Sequence, residues 1–210
     1  SDDGSSNGYS YFVSNGDGTF ENTTGGSVAG DVPLSSNIRY ADVADIDNDG
    51  DYDFVLSDDT ANQYAIYRNN DDGAGAWDFT NTQSLADPSD WGGMCQGDFN
   101  EDGFVDFIGY RTNGDMQYLE NDGDGTFTYG SIPSGAPYGI ENAPGDFNND
   151  GYVDILSNGR ILLNNGDATF TIMSTQMPPS GAIGDLNNDG FLDVFRGSLY
   201  LNNGNDNNWI

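Results

Sequence analysis

Short apolar stretches alternate with acidic, glycine-rich ones along the whole chain. Asp53–Leu56, Asp106–Ile108 and Asp193–Phe195 are rich in β-branched and aromatic residues, and Gly and Asn clusters bound them. Such runs are too short for helices and read as strands joined by turns. The recurring Asn-Gly and Asp-Gly pairs supply the positive φ that tight hairpins require. The pattern therefore predicts an all-β chain.

The stretches repeat. Four segments share one pattern: DIDNDGDYD from Asp45, DFNEDGFVD from Asp98, DFNNDGYVD from Asp146 and DLNNDGFLD from Asp185. Their starts lie 53, 48 and 39 residues apart. A second motif follows each one, as in LENDGDGTF and LLNNGDATF. A further copy, FVSNGDGTF, stands near the start of the chain with no acidic loop before it. Each unit then reads as four strands. Strand A ends at the acidic loop, and strand B opens on that loop's last Asp. Strand C, such as Gln63–Tyr67, ends at the Asn-Gly turn, and strand D opens on the aromatic after it. Units start near residues 38, 91, 139 and 181, and a C–D hairpin spans 9–24. A period of roughly 40 to 50 residues with four strands per unit predicts β-propeller blades within a single domain over 1–210.

Composition sharpens this reading. The chain has 210 residues, with 31 Asp, 25 Asn and 30 Gly, which leaves little helix-forming material. Its net charge of -30 disfavours nucleic acid and anionic membrane surfaces as partners. Its 12 Phe, 12 Tyr and 3 Trp supply the core that a disordered acidic chain would lack. No apolar run approaches the roughly 20 residues that span a bilayer as a helix. The absence of His removes Ser-His-Asp and Cys-His chemistry, and no other nucleophile motif stands out, so a non-enzyme is expected. Cys95 is alone and reads as a small core residue, and Asn22-Thr23-Thr24 is a glycosylation acceptor if the protein is secreted by a eukaryote.

Within each acidic loop, oxygen-bearing residues stand at positions 1, 3, 5 and 9. They are Asp45, Asp47, Asp49 and Asp53; Asp98, Asn100, Asp102 and Asp106; Asp146, Asn148, Asp150 and Asp154; and Asp185, Asn187, Asp189 and Asp193. Gly fills position 6, where the chain must turn sharply. Short alternate side chains on a curled loop converge on one point, and a hard cation wants about six to eight oxygens. The carbonyl of position 7 (Asp51, Phe104, Tyr152, Phe191) would add a backbone ligand. Solvated turns would explain one such loop; four at one spacing favour about four Ca²⁺. Magnesium prefers to keep its waters, and catalytic carboxylates would need a separate base. The Asn-Gly-Asp-Gly turns before strand D read as hairpins in preference to further metal sites.

The DxDxDGxxD loop, the following strand and the LYxNNGDGTF hairpin together resemble the FG-GAP/VCBS repeat family, from about Tyr9 to Ile210. That resemblance implies calcium ligation by the residues above and an extracellular or cell-surface setting. It also implies adhesion or binding to a glycan, protein or surface polymer. Family propellers commonly close with about seven blades, and this chain holds four units plus a hairpin. A fragment, a small or open propeller, and completion by a neighbouring chain are all compatible with that count. Two other functions stand beside a binding module: a filament subunit assembling head to tail, and a non-catalytic domain of a secreted enzyme.

Strand order separates the chemistry. A–B and C–D connections share one end of each unit, so the acidic loops and hairpins lie together. Arg111, Arg160 and Arg196 fall at or beside B–C connections, and Arg39 falls near the start of an A strand. Trp91 and Tyr138 lie beside D–A connections. These six form a candidate ligand-binding face, since Arg with aromatics suits sugars and carboxylates or sulfates. The alternative is that each Arg holds its own loop.

Overall fold

The computed structural model describes residues 12–14, 17–22, 38–58, 62–70, 79–86, 91–111, 116–132, 142–174, 176–177, 181–204 and 209. All the regular elements among them are strands. β1 (Phe12–Ser14) and β2 (Phe20–Asn22) form the N-terminal hairpin. The first repeat is the antiparallel meander β3 (Ile38–Ala44), β4 (Asp53–Asp58), β5 (Gln63–Asn69) and β6 (Phe79–Ala86). The second is β7 (Trp91–Gly97), β8 (Asp106–Arg111), β9 (Met116–Asn121) and β10 (Phe127–Gly130). The third is β11 (Asn142–Gly145), β12 (Asp154–Ser157), β13 (Arg160–Asn164) and β14 (Phe170–Ile172). The fourth has three described strands, β15 (Ala182–Gly184), β16 (Asp193–Phe195) and β17 (Leu199–Tyr200). Beyond β17 the described residues are 201–204 and 209.

Alternation along each strand explains how the sheets stack, because successive side chains point to opposite faces. In β8, Phe107 joins the core shared with the first sheet, while its neighbour Ile108 joins the core shared with the third. In β12, Ile155 faces back to the second sheet and Leu156 forward to the fourth. Each internal sheet is therefore apolar on both faces, with one core between each consecutive pair. The aromatic that opens strand D packs backward: Phe127 lies on Phe107, and Phe170 lies on Phe99 in the preceding repeat. Cys95 is buried in the core between the second and third sheets. Desolvation pushes its thiol up to about 12, so it is a packing residue with little thiolate at neutral pH.

Three buried amides tie the sheets together through the backbone. Asn121 Nδ2 donates to Ile46 O at 2.8 Å, Asn164 to Phe99 O at 2.8 Å, and Asn202 to Phe147 O at 2.7 Å. The donor ends strand C in the second and third repeats and stands two residues beyond it in the fourth, and the acceptor is at loop position 2 of the preceding repeat. Gln83 adds a fourth link between the first two repeats: its amide accepts from Phe127 N and donates to Phe127 O.

Candidate metal centres

Each acidic loop connects strands A and B of its sheet, and the four fold alike. The position-1 Asp accepts from the N–H groups of positions 5 and 6, at 3.0 Å each in the Asp45 loop. Asp98, Asp146 and Asp185 repeat this at 2.9–3.2 Å. The position-5 Asp accepts from the N–H of position 7 in all four loops. Gly50, Gly103, Gly151 and Gly190 hold φ between 90° and 101°, as the sharp turn at position 6 requires. Position 4 is also left-handed: Asn48, Glu101, Asn149 and Asn188 lie at φ 58–63°.

The first loop brings oxygens of Asp45, Asp47 and Asp49 within 4.8 Å of one another. In the other three, Asn100, Asn148 and Asn187 donate to the position-5 carboxylate at 2.8–2.9 Å. The position-9 residues have a structural part besides the one the spacing suggests. Asp53, Asp106, Asp154 and Asp193 are completely buried, and each carboxylate accepts two backbone N–H bonds. One comes from loop position 2 (Ile46, Phe99, Phe147, Leu186) and the other from the Asn at or just beyond the end of strand C. They anchor the loop to the sheet, and Asp53 stands outside the group formed by Asp45, Asp47 and Asp49. Burial pushes Asp106 up to about 6 and Asp154 up to about 7, against the pull of those N–H groups.

Position 7 carries a second role that spacing alone did not reveal. The rings of Phe104, Tyr152 and Phe191 lie on Gly123, Gly166 and Gly204 in the C–D turns, where a Cβ would come within 2.4–2.8 Å of them. Loop and turn thus share one end of the second, third and fourth repeats. At the opposite end, Trp91 pairs in register with Arg111 across β7 and β8, and Arg39 follows the first residue of β3. The side chains of these three, and Tyr138 entirely, lie outside the described residues. Arg160 donates to Met173 O and Ser174 O at 3.2 and 2.9 Å, holding its own strand end. Arg196 is exposed beside the turn to β17, where its N–H meets Ser198 O at 3.0 Å.

The donor set suits a hard cation: carboxylate and amide oxygens only, each position-1 and position-5 carboxylate retaining lone pairs beyond its N–H bonds. Asp47 has a side chain only 6 % exposed and is ion-paired with Arg68. The model of the FG-GAP-like repeat matches residues 45–109 and 98–157, two spans that each open on an acidic loop and close just inside the next repeat's strands. The chain belongs to the FG-GAP-like repeat family. Both spans coincide with stacked sheets, so the FG-GAP-like unit corresponds to one loop, its meander and the interface to the following unit. Comparison with curated proteins gives no match.

Proposed function

We propose that this FG-GAP-like array binds about four Ca²⁺, one per acidic loop, and is built as a β-propeller or an open arc of propeller blades. In this reading it works outside the cell as a non-catalytic adhesion or binding module, with a glycan or surface polymer as partner. The observation that carries it is one loop geometry repeated four times with oxygens alone as donors. Extracellular calcium modules work at about 10⁻⁴ to 10⁻³ M, which matches a millimolar-calcium compartment. The same ions would relieve a chain at -30, whose loops crowd carboxylates together. Calorimetric titration of chelated protein should give about four sites, and the melting temperature should fall in excess chelator. A stoichiometry of zero or one would overturn the proposal.

A second reading, head-to-tail assembly, is favoured by the forward face of the fourth sheet. Loop position 2 (Ile46, Phe99, Phe147) and its strand-B neighbours (Val55, Ile108, Leu156) are at most 3 % exposed in the first three repeats. Their counterparts Leu186 and Phe195 are 53 % and 50 % exposed, and Leu199 beside them is 45 % exposed. That face fits another sheet of the same kind, supplied by a second copy of the chain. Such a contact is heterologous and propagates unless it closes. Sedimentation in calcium should show concentration-dependent association that Leu186→Asp with Phe195→Asp abolishes; a monomer at all concentrations would refute it.

A further inference from the structure

We propose that Arg68 is a resident counter-cation of the first acidic loop and makes that loop the weakest of the four calcium sites. This inference rests on the calcium reading above. Ligand charge alone points the other way. The first loop carries Asp at positions 1, 3, 5 and 9, while the others carry Asn at position 3, and more carboxylates ordinarily tighten a calcium loop.

The geometry reverses that order. Asp47, the extra carboxylate, has a side chain only 6 % exposed, and neither oxygen accepts a hydrogen bond. Its partner is the guanidinium of Arg68, which reaches it through Nη2 from the end of β5. Because Asp45, Asp47 and Asp49 are mutually within 4.8 Å, the guanidinium is bound to a member of the cluster itself. The Arg68 stem is held in place by the next repeat. It runs over Gly125, where an added Cβ would lie 3.0 Å from Cδ and 3.2 Å from Nε. A side chain at 125 would therefore collide with the pair, and Gly125 leaves the space that Arg68 occupies.

The matching position in the other repeats holds no cation. It is Glu120, Leu163 and Leu201, each one residue before the Asn at or just beyond the end of strand C. In the second repeat the sign is opposite: Glu120 Oε1 lies 3.5 Å from Asn100 Nδ2, adding a carboxylate beside the loop. A divalent ion entering the first loop must share or displace the Arg68–Asp47 pair, and it meets a positive charge that the matching positions of the other three loops do not carry. A unit charge facing a divalent ion a few ångströms away, even with water-like screening, changes affinity by about tenfold or more.

The test is calcium titration by calorimetry on chelated wild type, Arg68→Gln and Arg68→Leu, the second copying the residue found at 163 and 201. Wild type should show three sites and a fourth weaker by about tenfold or more. Both variants should tighten the weak site by about tenfold and leave the others unchanged. A separate readout is thermal melting: each variant should melt below wild type in chelator, where Asp47 has lost its counter-charge, and recover that loss in calcium. Four equivalent sites in wild type, or isotherms unchanged by both variants, would overturn this inference alone. No binding by wild type would instead bring down the calcium reading on which it rests.

Discussion

Replacing Asn121 with Asp changes an amide nitrogen to an oxygen and adds one negative charge, yet it should cost about 3 to 5 kcal/mol. Asn121 is 2 % exposed and spends its side chain on three backbone groups. Nδ2 donates to Ile46 O at 2.8 Å in the preceding repeat and to Val105 O at 3.1 Å in its own, and Oδ1 accepts from Gly123 N at 2.9 Å. Aspartate keeps the last bond and loses both donors. Each lost bond is worth about 1 kcal/mol, and facing a carboxylate with two buried carbonyls adds roughly 1–3 more. For a chain of this size that corresponds to a melting decrease of about 6 to 20 °C. The assay is urea denaturation in millimolar calcium, with circular dichroism and Trp fluorescence as independent probes. Because each repeat contacts only its neighbours, weakening one interface should also separate the two probes' transitions. Asn203→Ala, at an exposed site one residue beyond the matching Asn202, serves as the control and should cost about 0.5 kcal/mol or less. A loss under about 1 kcal/mol for Asn121→Asp, with coincident probes, would refute the bridging argument.

Glu101→Asn should stabilise the protein by about 0.5–1 kcal/mol in chemical denaturation: Glu101 sits at φ 63°, where Asn is better tolerated. Asn48 and Asn149 at the matching positions also donate to Gly103 O and Gly190 O of the next loop, a bond Glu cannot make. Cys95 should react with a thiol reagent at least a hundredfold more slowly in calcium than in chelator with mild denaturant, because burial suppresses its thiolate. Equal rates would place the thiol at the surface.

The repeat frame was legible because it is periodic. Four copies of one loop fix strand B at its last Asp, and β4, β8, β12 and β16 each open on that residue. The hairpin glycines and strand-D aromatics likewise fall where local turn chemistry puts them. What the sequence hid depends on stacking. Asn121, Asn164 and Asn202 look like turn residues, and only the neighbouring sheet turns them into bridges. The position-9 Asp reads by spacing as a ligand alone, and the anchoring of its two oxygens by N–H groups from separate segments, as Asp154 meets Phe147 and Asn164, was hidden. Arg160 reads as a ligand-face residue by topology, whereas two carbonyls of the following segment take its donors. Arg68 drew no attention because its meaning comes from Asp47, twenty-one residues earlier, and from Gly125 in another repeat.

One residue per repeat connects the loop to the stacking. Phe99 gives its ring to the core shared with the third sheet, its N–H to the Asp106 carboxylate, and its carbonyl to Asn164 and Ala168 of the next repeat. Ile46 and Phe147 do the same through Asp53 with Asn121, and Asp154 with Asn202. The anchoring Asp also receives the N–H of its own strand-C Asn, so loop closure fixes both partners of that bridge. An ion that orders a loop would therefore tighten the interface to the following repeat without touching it. Leu186 keeps the first half of this arrangement, its N–H on Asp193 at 2.9 Å, while its side chain stays exposed. The fourth loop thus keeps the anchoring half of the arrangement and leaves its apolar face open.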